Sequence, residues 1–313
     1  MEKTNIRDRR ARRSGVTTLT TSSELYDTLG VEKFDDDGDT NQYAIVHEQV
    51  STESKSRKRP LTLVDYDYQS MAIDYSKPNT AQQLGNYRQA MDFLGHIKLT
   101  HHDEIITRLK KIIYDYPNVD ISTFVNKENS ILYSWVVGQL ERVLGEKYMG
   151  SVYVLGGGMG LMGAMLLDSK LRFENIRSFD INGTAQFLAD EFMQKELLMD
   201  WRFKSTTQDL FDVDYAKHNF ISRLPDGTLS KPFSEIPGTI INTNVSYIKN
   251  YKDWYDMIPD IRRVVVVGES GENVPYPFAN SQSFNSKFPM SFELYTGVLT
   301  IDGKQYFMKI GHK

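Results

Sequence analysis

Apolar and polar positions follow three different patterns along the chain. Residues 1–79 contain few apolar positions and several blocks of like charge. Residues 80–148 repeat apolar positions every three or four residues, and residues 149–313 alternate short apolar runs with amphipathic segments. Apolar positions every three or four residues are typical of helices, and short apolar runs are typical of buried strands. We therefore predict an N-terminal arm (1–79), a helical subdomain (80–148) and an α/β domain (149–313).

The helical subdomain is predicted to contain three helices. Thr80, Thr100 and Ser130 are the expected starts, because their hydroxyl groups can cap a helix N-terminus. The first helix is expected to bury Tyr87 and Met91 on its apolar side. We interpret the apolar sides of all three helices as core that packs against the α/β domain.

The α/β domain is predicted from apolar runs that alternate with helical segments. The expected strands are 152–155, 176–180, 201–205, 239–245 and 263–268. The expected helices are about 160–171, 184–199 and 250–258. Residues 291–301 and 304–310, joined by Asp302-Gly303, predict a β-hairpin. The fold class is therefore α/β: a Rossmann-like, doubly wound, mostly parallel sheet with a C-terminal antiparallel hairpin.

The N-terminal arm is marked by its charge pattern. Arginines cluster in 7–13, aspartates in 35–39, and lysines and arginines in 55–59. Such a segment buries too little apolar surface to offset its ordering entropy, so we expect it to be flexible on its own. Two interpretations stay open: a solvated tail, or an arm that docks on nucleic acid or on another protein subunit.

Composition limits the kinds of site that the chain can form. The formal net charge of −4 argues against a surface that coats nucleic acid. The absence of cysteine excludes disulfides, thiolate metal sites and cysteine nucleophiles, and the six histidines are scattered, so no metal site is predicted. Because the chain has no membrane-length apolar run and no secretory signal pattern, we expect a cytoplasmic protein with no membrane partner.

A glycine-rich turn follows the first predicted strand of the sheet. It contains four glycines within five residues: Gly156, Gly157, Gly158 and Gly160. A strand, a glycine turn and a helix bring a ligand against bare backbone and an open helix N-terminus, because glycine has no Cβ to hold the ligand off. The next strand ends in Asp180. This arrangement predicts a nucleotide-like ligand.

Two ligands are compatible with this turn. Residues 158–163 read G-x-G-x-x-G, and Asp180 lies at the distance where a dinucleotide site places its ribose-binding acid. The same region resembles the class I S-adenosylmethionine-dependent methyltransferase family, in which a shorter glycine motif ends the first strand and an acid ends the second. The resemblance covers residues 150–313, about half of the chain, and includes the closing hairpin. We favour this second interpretation.

The resemblance implies S-adenosylmethionine as the cofactor and assigns its contacts by position. The expected contacts are Leu155, Gly156, Gly157, Gly158, Gly160, Asp180, Ile181 and Asp209. In the family, the acid matched by Asp180 takes the ribose hydroxyls, and the position of Asp209 lies near the adenine amino group. The family usually has an acid two residues before the first glycine, where this chain has Val154. The methionine amino group is then expected to bind backbone carbonyls or a residue of the helical subdomain.

The loop after the fourth strand is expected to face the methyl acceptor. Asn242, Asn244 and Tyr247 are the expected acceptor-site residues, and residues 244–247 resemble the Asn-Pro-Pro-Tyr loop of adenine-N6 and glutamine methyltransferases without its prolines. The implied function is methyl transfer to an amino group of nucleic acid or protein. Three alternatives stay open: an inactive methyltransferase-like structural protein, an NAD-binding protein, or an aminocarboxypropyl transferase. The loop at 271–289 is expected to cover the substrate, or its aromatic side chains are expected to pack beneath the loop.

Overall fold

The computed structural model describes residues 80–97, 102–198, 201–222 and 232–313, together with three short strands nearer the N-terminus. Most of the N-terminal arm and the capping position Thr100 lie outside the described residues. The predicted flexibility of the arm and its docking partner therefore stay predictions.

Helices and strands alternate through the described part of the chain. The helices are α1 (Thr80–His96), α2 (His102–Asp115), α3 (Lys127–Leu144), α4 (Leu161–Asp168), α5 (Gly183–Phe192), α6 (Gln194–Leu198), α7 (Tyr251–Asp256) and α8 (Ser281–Lys287). The strands are β1 (Glu32–Lys33), β2 (Tyr43–Ala44), β3 (His47–Val50), β4 (Ser151–Leu155), β5 (Ile176–Asp180), β6 (Phe203–Thr207), β7 (His218–Ser222), β8 (Phe233–Glu235), β9 (Pro237–Asn242), β10 (Arg263–Glu269), β11 (Phe292–Ile301) and β12 (Lys304–His312).

The central sheet has seven strands in the order β11-β12-β10-β9-β4-β5-β6. Strands β4, β5, β6, β9 and β10 are parallel, whereas β12 lies antiparallel between β10 and β11. The tight turn between β11 and β12 places Asp302 and Gly303 at φ values of 47° and 86°, which an Asp-Gly pair tolerates. The predicted fold class is confirmed, and it is the fold that the methyltransferase resemblance implies.

Both faces of the sheet are covered, as expected for apolar parallel strands. On one face, α1 to α5 and the sheet share a continuous apolar core that includes Leu140, Met165 and Val265. On the other face, a second core includes Trp254 of α7 and Phe284 of α8. Phe278, Phe284 and Phe288 of the loop at 271–289 lie in this second core, where Phe284 contacts its neighbours edge to face or at a tilt. Tyr276 of the same loop is only partly buried and lies outside this core.

The apolar side of α1 differs from the prediction. Tyr87 and Met91 are 40% and 68% exposed, whereas Asn86 and Phe93 are buried. Asn86 fixes this orientation, since its side-chain amide donates to the carbonyl of Val119 at 2.7 Å. A buried amide needs such a partner. A helix that satisfies its asparagine in this way turns its tyrosine and methionine outward.

Several element boundaries also differ from the predictions. The strand expected at 239–245 is Pro237–Asn242, the helix expected at 160–171 ends at Asp168, and the helix expected at 184–199 is divided into α5 and α6. Helix α3 begins at Lys127 instead of Ser130, because Asn126 accepts the backbone N–H of Asn129 and caps the helix three residues earlier. The third strand of the parallel sheet is Phe203–Thr207 instead of 201–205.

The crossover from β6 to β9 contains a hairpin that the sequence analysis did not predict. Strands β7 and β8 pair antiparallel, and β3 adds to the free side of β7. His218 and Phe220 of β7 pack on Phe179 of the central sheet, with ring centroids 5.6 Å and 6.5 Å away. This small aromatic sheet covers the face that a crossover helix would otherwise cover.

We predict that His218 makes the fold less stable in acid. Its ring is fully buried, and its Nδ1 accepts the backbone N–H of Asp214 at 3.1 Å. Burial lowers the pKa of His218 to about 4 from an ordinary value of 6.5. Between these pH values the unfolded chain binds a proton that the folded chain excludes, so stability is complete above 6.5 and falls as the pH drops. The expected loss between pH 7 and pH 5 is about 2 kcal/mol.

Urea titrations at the two pH values measure this loss. His218→Gln keeps an acceptor for the Asp214 N–H but has no ionisable group, so its free energy of unfolding should depend less on pH. Equal acid losses in the two proteins would contradict the prediction.

Candidate active site

The glycine turn after β4 folds over the end of β5. The backbone N–H groups of Gly156 and Gly157 both donate to the carbonyl of Phe179, at 2.8 Å and 3.3 Å. Gly160 then donates to the carbonyl of Gly157 at 3.0 Å and precedes the first residue of α4. The turn therefore joins two neighbouring strands at their carboxyl ends.

Two of these glycines are required by their surroundings. A Cβ atom on Gly157 would lie 2.0 Å from Oγ of Ser178, and one on Gly158 would lie 2.9 Å from Cδ1 of Phe124. Gly158 also has a φ of +51°, which disfavours residues with side chains. At these two positions a side chain would collide with Ser178 or Phe124, so the turn requires bare backbone there.

Asp180 links the end of β5 to the glycine turn. One carboxylate oxygen accepts the N–H of Gly158 at 2.9 Å, and the other accepts the N–H of Asn182 at 2.9 Å. Asn182, not Asp180, caps α5. Since a carboxylate offers about four lone-pair positions, Asp180 keeps acceptor capacity for a ligand.

The neighbouring residues at this edge combine exposed apolar side chains with acids. Ile181 is 74% exposed and Phe211 is 37% exposed. Asp209 is exposed, and one of its oxygens accepts the N–H of Phe211 at 2.9 Å. The N–H of Gln208 donates to the carbonyl of Asp180, which brings the ends of β5 and β6 together.

The loop after β9 contacts the glycine turn. The side chain of Asn244 donates to the carbonyl of Gly156 at 3.2 Å. Asn242 is buried, and its Oδ1 accepts the N–H of Asn244 at 2.9 Å. Tyr247 lies one 3₁₀ turn further on, donates its N–H to the carbonyl of Asn244 and is 56% exposed. The structure thus brings the expected acceptor loop and cofactor turn together.

Three residues near this edge were not identified from the sequence. Phe124 lies against Gly158. Tyr133 lies near Asp180, and burial together with the Asp180 charge raises the pKa of its phenol to about 12. Glu269 ends β10 and is buried. An acid that ends an apolar strand was a visible signal for Glu269, whereas only the tertiary fold brings the other two to the turn.

Three further observations concern the site and the chain around it. Val154 is buried in the apolar core on the helical side of the sheet, so β4 supplies no acid before the turn. Among the described residues, no group of three or more histidines and acids is arranged to hold a metal ion. No helix in the same part of the chain has the length and apolar character needed to cross a membrane.

Comparisons with known proteins give only distant likenesses. No family model and no curated protein matches the chain. The magnesium protoporphyrin IX methyltransferase of Synechocystis PCC 6803, solved with bound SAM, is 13% identical over 80% of this chain and 100% of its own, with a TM-score of 0.39. The ribosomal protein L11 methylase of Lactobacillus delbrueckii subsp. bulgaricus is 13% identical over 61% and 81%, with a TM-score of 0.39. The MccD protein is 10% identical over 57% and 96%, with a TM-score of 0.42. At these values the function has to be argued from the residues of this chain.

We predict opposite effects on stability for two glycine-to-alanine substitutions. Gly158→Ala should destabilise the fold by about 1–3 kcal/mol, because it places a side chain at positive φ and against Phe124. Gly138→Ala should stabilise it by about 0.5–1 kcal/mol, because Gly138 lies within α3 and an added Cβ meets nothing within 4 Å. Chemical denaturation measures both changes. A neutral Gly158→Ala would contradict the requirement for bare backbone at the turn.

Proposed function

We propose that this chain is an S-adenosylmethionine-dependent methyltransferase. The observation that carries the proposal is the carboxylate of Asp180, which ends β5 and is bonded to the bare turn after β4. The turn lies at the carboxyl edge of a sheet in which β12 is antiparallel between β10 and β11. Ligands of open α/β sheets bind at this edge.

The residues at the edge fit the cofactor. The turn offers backbone without side chains, and Asp180 has free lone pairs for two ribose hydroxyls. Ile181 and Phe211 offer exposed apolar surface for an adenine ring, and Asp209 can accept from its amino group. When bound, S-adenosylmethionine supplies an electrophilic methyl group on a sulfonium.

The methionine end of the cofactor must be held differently from the family pattern. Val154 is apolar and faces the core, so it cannot bind an ammonium group. The helical subdomain reaches the turn through Phe124. We therefore infer that backbone carbonyls or a residue of that subdomain bind the methionine amino group.

The acceptor is inferred to bind at the loop after β9. Asn242, Asn244 and Tyr247 form this loop, and Asn244 is bonded to the same turn as the cofactor. Methyl transfer needs the acceptor atom aligned with the methyl group, so a loop fixed to the cofactor turn suits the reaction. An amino group of nucleic acid or protein is the acceptor that the loop's resemblance favours.

The alternatives are supported less well. A dinucleotide-binding sheet has the strand order 3-2-1-4-5-6. That order does not account for the antiparallel strand β12 between β10 and β11. An inert scaffold would use Asp180 only to accept the N–H groups of Gly158 and Asn182, and it would have no use for the acceptor capacity that remains on this carboxylate. An aminocarboxypropyl transferase would use the same cofactor, and a cofactor-bound structure distinguishes it by which carbon faces the acceptor loop.

We predict that Asp180→Asn weakens binding of S-adenosylmethionine and S-adenosylhomocysteine about tenfold or more. The substitution removes a charged acceptor from the ribose, and hydrogen bonds to charged groups contribute about 1.5–3 kcal/mol. Isothermal titration calorimetry of the purified chain measures this change, with dissociation constants in the micromolar range expected for the unsubstituted protein.

Glu174→Gln is the matched control. Glu174 is an exposed acid just before the amino end of the same strand, so its loss should leave binding unchanged. Heat from NADH, with none from either adenosyl ligand, would contradict the proposed function.

A further inference from the structure

Helix α1 carries a second apolar stripe, which nothing in the described part of the chain covers. Its inward side, with Ala90 and Phe93, is buried in the helical subdomain. On the opposite side, Leu84, Tyr87 and Met91 are 52%, 40% and 68% exposed. Single exposed apolar side chains are ordinary, but three large ones within about two helical turns form a patch of the kind that marks an interaction surface.

The stripe ends in a small residue and has charges along one flank. Gly95 lies one turn beyond Met91 and is exposed, and an added Cβ there would meet nothing within 4 Å. Arg88 and Asp92 are also exposed, and they lie on neighbouring turns along the flank away from Tyr87. We call the following residues the α1 face: Leu84, Tyr87, Arg88, Met91, Asp92 and Gly95.

The two charges of the α1 face are available to a partner. Arg88 forms no ion pair within the described residues. Asp92 lies 3.8 Å from the ring of His96, at the outer limit of an ion pair. Lys127, which lies near Asp92, donates instead to both carboxylate oxygens of Asp302, at 2.8 Å and 2.9 Å. A partner that presents one anion and one cation would therefore match this flank.

The order of residues makes the α1 face complementary to itself when two copies pack antiparallel. A two-fold axis between antiparallel helices sets each flank of one stripe beside the same flank of the other. With the axis between residues 89 and 90, Leu84 of one copy lies over Gly95 of the second, which lets the helices approach closely.

The same register matches the two flanks. Tyr87 meets Met91 of the second copy, and a thioether beside an aromatic ring is a favourable contact. Arg88 lies beside Asp92 of the second copy, and the symmetry forms this ion pair twice.

A parallel pairing would lose this match. Its two-fold axis runs along the helices, so the charged flank of one stripe would meet the Tyr87 flank of the other. Arg88 and Asp92 would then leave water without meeting an opposite charge, which costs free energy. The pattern therefore selects the antiparallel arrangement.

We propose that the α1 face binds a second copy of this chain, so that the protein forms a two-fold dimer through antiparallel α1 helices. One helix stripe is at the small end of specific interfaces, so the expected dissociation constant is in the micromolar range. The inference is independent of the proposed function, because it uses a different surface.

Light scattering of the full chain over a dilution series from about 100 μM tests the dimer, since a micromolar dimer is largely formed at that concentration. The mass should be twice that of one chain. Met91→Glu should give a monomer, because it places a charge at the centre of the stripe. Tyr114→Glu is the matched control, since Tyr114 is 76% exposed on α2 outside the α1 face, and the variant should remain a dimer.

Charge reversal tests the proposed ion pairs. Arg88→Glu should weaken the dimer about tenfold, because it turns two attractive pairs into two repulsive ones. Combining Arg88→Glu with Asp92→Arg reverses both partners and should restore the dimer.

Disulfide trapping tests the antiparallel register, because the chain has no cysteine of its own. A mixture of Leu84→Cys and Gly95→Cys should give a covalent dimer under mild oxidation. Neither variant alone should do so, because each introduced thiol would lie about 16 Å from its own copy, too far for a disulfide.

A full chain that stays monomeric at the highest concentration would overturn the inference and leave the α1 face to another segment of the chain or to a different protein. A dimer that Met91→Glu does not weaken would overturn it as well. Cross-linking of Leu84→Cys with itself would contradict the antiparallel register and with it the proposed interface.

Discussion

The site depends on one charged hydrogen bond, from the N–H of Gly158 to the carboxylate of Asp180. This bond fixes the turn after β4 to the end of β5. The carbonyl of Gly156 in the same turn accepts a hydrogen bond from the side chain of Asn244, in the loop after β9. Charge-assisted bonds of this kind are stronger than neutral ones. Three strands thus meet at one edge, with their loops held together before any ligand arrives. This prearrangement supports both the cofactor and the acceptor proposals.

The helical subdomain completes this edge instead of forming a separate body. Its helices share one apolar core with the sheet, so α3 is held at a fixed distance from the glycine turn. The start of α3 contributes Glu128, and the preceding loop contributes Phe124. Strand ends on one side and a packed helix on the other can orient a ligand that is held between them.

Much of the fold could be predicted because its signals are local. Consecutive valines in β10 and the Asp302-Gly303 turn specify their elements without help from the rest of the chain. The orientation of α1 could not, since a buried asparagine outweighed its apolar residues. The glycine turn and Asp180 were recognisable by spacing. Phe124 and Tyr133 join them only through contacts between distant segments, which spacing does not reveal.

The insertion of β12 between β10 and β11 has a consequence for how the chain reaches its native state. Until the hairpin arrives, β10 is an outer strand with Val264–Val267 and a free row of backbone donors and acceptors. An apolar, unpaired edge of this kind readily pairs with other chains. During folding, insertion of β12 beside β10 therefore competes with aggregation through the open edge of β10. Chaperones that shield open sheet edges would favour formation of the native sheet.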